Sequence, residues 1–255
     1  MQWVALIKFR YHVTFLGVVC GALLFAPAID GRLAGRLLLL YVSFNVLLYG
    51  GIYTLNDVAD RASDARHPRK RRRPVASGAV PVRNACLFAG ALIGTGTLCA
   101  VLFFPAGVVA CFGAALAFNA TYSLGARDHR YLDLLFNSVT HPNRFLMGVL
   151  LTDRLPPYTH LAAIMLLALA LSCLRRQVER GTPGGDARAT LGRYAPAELA
   201  GVAAICLVLL ALLASWFGQA APGFYLVVGC TTLLTVVGGW LPTTIRSGLR
   251  AFWTQ

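Results

Sequence analysis

The chain has 255 residues, 57% of them hydrophobic and only 13% charged, yet its formal net charge is +13. That balance excludes an ordinary water-soluble domain and points to a multi-pass membrane protein. It does not point to nucleic acid as a partner, because no basic residue is interleaved with aromatics as a stacking platform.

A hydrocarbon core about 30 Å thick takes about 20 apolar residues per helix. Runs near that length lie at 11–29, 35–55, 83–104, 105–124, 132–151, 158–174, 197–216 and 222–241. They predict an all-α, multi-pass transmembrane bundle of about eight helices, a single integral membrane domain over 1–255. Lys8 and Arg10 precede the first run as they would in a secretory signal. Seven further spans follow, however, and "FAPAIDG" is a poor cleavage site, so the run reads as the first span. If the helices alternate, one side holds both termini and the loops 56–82, 125–131 and 175–196. That side carries nineteen Lys and Arg, counting Arg83, against Arg32, Arg36 and Arg154 on the other. The positive-inside rule makes the rich side cytoplasmic. The expected location is therefore the cytoplasmic membrane, with both termini and three charged loops, after helices 2, 4 and 6, facing the cytoplasm. All seven cysteines fall within or at the edge of predicted spans without a C-x-x-C pair, and read as small buried hydrophobes.

The second helix runs past its apolar stretch into Asn56, Asp57, Asp60 and Asp64, followed by "RHPRKRRRP". Spacings of three, four and seven predict that the three aspartates share one helix face. Like charges on one stripe repel, so a cation is expected there. One reading is a salt-bridge cluster with the arginine-rich run. The other is a divalent metal, for which oxygen-only ligands suit Mg²⁺, a cation that usually binds through one or two carboxylates plus substrate phosphates. At the cytoplasmic end of a membrane helix, where ionisable groups are costly and tend to be functional, the metal reading is favoured. The neighbouring Lys and Arg fit a held diphosphate or an anionic membrane surface.

After the fourth helix comes "YSLGARDHRYLD", with Arg127 in a charged turn and Asp133 opening the fifth helix, where a carboxylate is also favoured by the helix dipole. Arg144 lies about 16 Å into that helix at 1.5 Å per residue, near mid-membrane, where an unpaired arginine costs several kcal/mol. With Asn137, Ser138, Thr140, His141 and Asn143 it predicts a helix turned away from lipid towards a polar cavity. His141, just before Pro142, reads as a hydrogen-bonded structural residue. After the sixth helix, "CLRRQVERGTPGGDARATLGRY" places Arg175, Arg176 and Glu179 before a Thr-Pro-Gly-Gly turn, with Asp186, Arg188, Arg193 and Tyr194 beyond it. Arg175 and Glu179 are spaced for an ion pair. No second D-x-x-x-D stands here, so another carboxylate-bound metal is hard to build, whereas the arginines could hold a further phosphate.

Taken together, these loops resemble the UbiA superfamily of intramembrane prenyltransferases. "NDVADRASD" fits its first aspartate-rich motif and "KRRRP" the basic motif after it. Within the superfamily the chain is most similar to the polyprenyl-phosphate phosphoribosyltransferase branch. "HPRKRRRP" is similar to its H-P-x-K-R-x-R-P, and "YSLGARDHRYLD", with Tyr122, to its Y-S-x-x-x-K motif ending in Asp, with Arg127 at the lysine position. "RFLMG" resembles its R-A-x-x-G and "RRQVE" its K-R-x-x-E, with Arg175 at the lysine position. The resemblance implies Mg²⁺ on Asp57, Asp60 and Asp64, with Asn56 orienting the first and Lys70 and Arg73 neutralising diphosphate oxygens. Tyr122, Arg127, Asp133, Arg144, Arg175, Arg176 and Glu179 would then bind the remaining phosphates and the ribose. The implied reaction moves 5-phosphoribose from phosphoribosyl pyrophosphate to a polyprenyl phosphate in the membrane. A prenyl diphosphate donor with a lipophilic acceptor, or a terpene cyclase, is the alternative within the superfamily. A transporter and a lipid-binding scaffold are the alternatives outside it. A homo-oligomer is left open, since members of the family usually have nine helices and this chain shows eight.

Overall fold

Apolar runs about as long as a bilayer is thick become long helices, with breaks where polar or strained residues fall. A computed structural model describes residues 2–67, 70–180 and 191–240, and among them every regular element is helical. Pro68 and Arg69 of the basic motif, the Thr-Pro-Gly-Gly turn, Asp186, Arg188 and the C-terminal 241–255 lie outside the described residues. The helices are α1 (Gln2–Phe25), α2 (Gly31–Ala59), α3 (Arg61–Arg66), α4 (Val82–Phe103), α5 (Ala106–Leu124), α6 (Arg130–Leu150), α7 (Tyr158–Arg180), α8 (Pro196–Ala220) and α9 (Pro222–Trp240). With the short α3 set aside, they reproduce the eight expected spans in order. Six are long and apolar enough to cross a membrane. The polar α6 is not among them, and the apolar stretch of α9 is the shorter Pro222–Gly238.

The chain divides into two compact units: residues 1–123 with 143–156, and residues 124–142 with 157–255. The first is built on α1, α2, α4 and α5 with the second half of α6. Phe15, Phe44, Leu48, Val108, Phe112 and Met147 form its core. A Cβ at Gly148 would run into the backbone of Val18, and one at Gly21 into that of Phe145. These two glycines therefore let α1 and α6 cross with backbones in contact, the way helices associate where lipid removes any hydrophobic drive. Asn143 donates to the Cys111 carbonyl at 3.0 Å, so the polar side of α6 is satisfied by α5. Two stretches of the unit depart from α geometry: a 3₁₀ segment at Phe9–Phe15 and a π-helical one at Tyr41–Leu48.

In the second unit α7, α8 and α9 pack around Ala163, Cys173, Leu199, Cys206, Leu210 and Tyr225. The first half of α6 joins them through Asn137 and Ser138, which bond the Ser172 hydroxyl of α7 at 2.9 and 2.8 Å. Of the polar residues of α6, Ser138, Asn143 and Arg144 are buried and Asn137, Thr140 and His141 partly so. The cysteine expectation is only half met: Cys111, Cys173 and Cys206 are buried, whereas Cys20, Cys86 and Cys230 are exposed. A thiol is apolar enough to tolerate the outer, lipid-facing side of a helix, and composition cannot tell the two sides apart.

Candidate active site

In the first unit, α2 delivers Asn56 and Asp57, and then the stripe bends. Asp60 leaves helical geometry at φ −85 and ψ 0 before α3 resumes. The expected single ladder is therefore two short helices that turn Asp57 and Asp64 inward, to 2% and 3% exposure, with Asp60 half-buried at the bend. Arg73, from the basic loop, binds both inward carboxylates through one nitrogen: Nη1 lies 3.1 Å from Asp57 Oδ1 and 2.7 Å from Asp64 Oδ2. Lys70 Nζ stands 4.0 Å from Asp64 Oδ1. On the other side Lys8 Nζ reaches Asp57 Oδ1 at 2.6 Å. Two buried carboxylates are thus held by two cations at close range, which burial of like charges requires. Asn56 is fixed beside them, its Oδ1 accepting from the Ser123 hydroxyl at 2.9 Å.

Among the described residues no three His, Cys, Asp or Glu side chains gather as a ready-made metal cage. The donor set nevertheless fits Mg²⁺. Two convergent carboxylates and a neighbouring amide oxygen are hard ligands, and Mg²⁺ takes one or two carboxylates and fills the rest of its shell with water and phosphate. In the arrangement described, the guanidinium and ammonium groups stand where cationic charge is needed.

Deeper in the same unit, Arg144 is buried to 3% exposure. Its guanidinium lies 4.4 Å from the Tyr49 ring centroid and 5.8 Å from that of Phe44, an attraction strengthened by desolvation. Those rings belong to a run of aromatic contacts, Tyr11 to Tyr53, Tyr53 to Tyr49, Tyr49 to Phe44 and Phe44 to Phe112, at 5.4, 5.5, 5.1 and 4.9 Å between centroids. Tyr122, also in this unit, is half-buried in the last turn of α5.

The second unit gathers Asp133, Arg175 and Glu179 around one guanidinium. Arg176 is 1% exposed. Its Nε and Nη2 each donate to an Asp133 oxygen at 2.6 Å, and Nη1 donates to Glu179 Oε2 at 2.5 Å. The remaining Glu179 oxygen accepts from Arg175 Nε at 2.8 Å. Arg175 is the more accessible of the two arginines, with 28% of its side chain exposed. Tyr194 closes the cluster, its hydroxyl donating to the Arg130 carbonyl and lying 3.3 Å from Asp133 Oδ2. Burial first, and the adjacent Asp133 carboxylate second, push its phenol well above the ordinary range. Arg127 sits half-buried in a one-turn 3₁₀ segment beside these residues in the chain.

Thus Asn56, Asp57, Asp64, Lys70 and Arg73 come together in one unit, and Asp133, Arg175, Arg176 and Glu179 in the other. Arg144 and Tyr122 also belong to the first unit, and Arg127 to the second. Three participants were not singled out from sequence: Lys8, Ser123 and Tyr194. Ser123 and Tyr194 sit inside motifs quoted above. Lys8 had only its charge at the mouth of the first span as a signal.

The UbiA prenyltransferase family model matches residues 14–253. The chain belongs to that family. Its fold is also that of a UbiA homolog from Archaeoglobus fulgidus solved bound to DMAPP and Mg²⁺. That likeness has a TM-score of 0.78 and 16% identity, covering 100% of this chain and 96% of that one. Among curated relatives, the chain is 32% identical to the nodulation protein NoeC of Azorhizobium caulinodans over 164 residues, 60% of this chain and 51% of that protein. It is 33% identical to the decaprenyl-phosphate phosphoribosyltransferase of Corynebacterium glutamicum over 96 residues, 36% of this chain and 29% of that protein. The chain therefore spans about half the length of the first relative and under a third of the second.

Proposed function

We propose that this UbiA-family chain transfers 5-phosphoribose from phosphoribosyl pyrophosphate to a polyprenyl phosphate in the membrane. Asp57 and Asp64, with Asn56 and the half-buried Asp60 at hand, would hold Mg²⁺, which when bound supplies Lewis-acid stabilisation of the leaving diphosphate. Arg73 and Lys70 take up diphosphate oxygens, which lowers the cost of breaking the bond to the ribose C1. An oxygen of the acceptor phosphate forms the new bond to C1. That oxygen is already anionic, so no side chain has to remove a proton. Arg175, and Arg127 a few residues before Asp133 in the chain, provide guanidinium groups for the ribose 5-phosphate or the acceptor phosphate. Arg176 holds Glu179 and Asp133 in place, and Glu179 in turn orders Arg175.

The observation that carries this reading is the state of the second unit's carboxylates. Asp133 and Glu179 are both committed to guanidinium groups. Arg175, the more exposed of the two arginines, is thereby the guanidinium that a ligand phosphate can reach, which suits a donor with one phosphate more than an isoprenyl diphosphate. The similarity to decaprenyl-phosphate phosphoribosyltransferases supports the same choice. The aromatic run from Tyr11 to Phe112 favours the second reading, a prenyl diphosphate donor whose apolar tail would lie against ring faces. Purified protein with Mg²⁺, ribose-labelled phosphoribosyl pyrophosphate and polyprenyl phosphate is expected to move label into the organic phase. Label transfer from a prenyl diphosphate alone would replace the first reading by the second.

A further inference from the structure

Forty-nine positions separate Lys8 from Asp57, and the contact between them constrains how a metal enters the first unit. Lys8 Nζ lies 2.6 Å from Asp57 Oδ1, the same oxygen that Arg73 Nη1 approaches at 3.1 Å. One carboxylate oxygen thus has two cations on it. The Lys8 backbone is left-handed, at φ 55 and ψ 56, a conformation that residues with side chains seldom adopt and that persists where surrounding contacts impose it. Those contacts are visible on the N-terminal side. Leu6 is fully buried against Val75, Val80 and Ala85, so the first turns of α1 are fastened to the segment that follows the basic loop. Lys8 Nζ also lies 5.7 Å from the Tyr53 ring centroid. The ammonium is therefore placed, with only 14% of its side chain exposed.

We infer that Lys8 is a resident counter-ion that competes with the divalent metal for Asp57, so that metal binds tightly only together with a diphosphate. A divalent ion approaching Asp57 Oδ1 meets an ammonium and a guanidinium already on that atom, and in a poorly hydrated place the added positive charge is repelled. A diphosphate reverses the balance, since its oxygens accept the displaced Lys8 and Arg73 in charge-assisted hydrogen bonds and also bridge to the metal. Metal and diphosphate then raise each other's affinity, and the coupling is reciprocal. The inference rests on Asp57 and Asp64 as metal ligands, as proposed above. It is indifferent to whether the donor carries ribose or an isoprenoid.

Binding of Mn²⁺ to the purified protein, followed by electron paramagnetic resonance with and without inorganic diphosphate, tests it without any turnover. Wild type is expected to bind Mn²⁺ weakly alone and on the order of 10- to 100-fold more tightly with diphosphate, the usual range of such couplings. Lys8→Gln is expected to tighten Mn²⁺ binding in the absence of diphosphate about tenfold and to shrink the coupling by the same factor, whereas Lys8→Arg keeps the wild-type pattern. Lys8→Gly accepts the left-handed backbone and gives a second charge-free variant without backbone strain at that position; it should match Lys8→Gln. Wild-type Mn²⁺ affinity and undiminished coupling in both charge-free variants would overturn the role of Lys8 while leaving the metal assignment intact. No Mn²⁺ binding in any variant, with or without diphosphate, would overturn the metal assignment and this inference with it.

Discussion

Replacing Arg176 by Met separates a brace from a ligand. From sequence, Arg175 and Arg176 are equivalent candidates for gripping phosphate, but Arg176 is 1% exposed and makes three charge-assisted hydrogen bonds of 2.5 to 2.6 Å to Asp133 and Glu179. Its removal leaves Asp133, itself 1% exposed, as a buried carboxylate without its bidentate partner. Breaking a buried pair from one side costs about 3–5 kcal/mol, which for a chain of this size lowers the melting temperature by roughly 10 °C. Arg175→Met removes a partly exposed charge and should cost under about 1 kcal/mol. The assay is thermal unfolding in detergent by intrinsic fluorescence, with the double variant Arg176→Met, Asp133→Asn expected to recover much of the loss because the stranded charge is gone. If Arg176→Met melts with wild type and loses only donor or acceptor affinity, Arg176 is a substrate ligand and the brace argument fails.

Asp57→Asn should lower the transfer rate by about 10²–10³-fold, the scale of losing one preorganised electrostatic contact, and should weaken Mn²⁺ binding measured in the presence of diphosphate. Arg144→Lys should destabilise the first unit by about 1–2 kcal/mol, since a compact ammonium stacks poorly where a planar guanidinium lies 4.4 Å from the Tyr49 ring; melting of Arg144→Lys beside Tyr49→Leu checks this. The Tyr194 phenol is raised by burial and by Asp133, so its contribution to stability is complete below the ordinary tyrosine value of about 10 and declines as pH rises from there towards the raised value. Tyr194→Phe should accordingly flatten the alkaline limb of a plot of melting temperature against pH, and an unchanged limb would assign that loss to other groups.

Apolar run length is a local quantity, so the eight helices could be read directly, and the nearness of Asp57 and Asp64 was legible because they stand about two helical turns apart in the chain. The bend at Asp60 was not, because it depends on where α3 must go, which no spacing records. Arg175 and Arg176 illustrate the same limit: adjacent residues with the same chemistry differ because one faces Asp133 across 43 positions and the other faces outward. Lys8 is the extreme case. Its charge looked like a topological marker, and only the packing of Leu6 and the left-handed turn after it bring that charge onto Asp57. Cysteine burial failed for a related reason, since a lipid-facing and a core-facing thiol are equally apolar in sequence.

The identity of the transferred group can be measured directly. Offering phosphoribosyl pyrophosphate and an isoprenyl diphosphate together, with Mg²⁺ and a polyprenyl phosphate acceptor, and weighing the lipid product by mass spectrometry decides it. The expected product is a polyprenyl phosphate heavier by one phosphoribosyl group. A product lengthened by an isoprenoid, with phosphoribosyl pyrophosphate untouched, would contradict it.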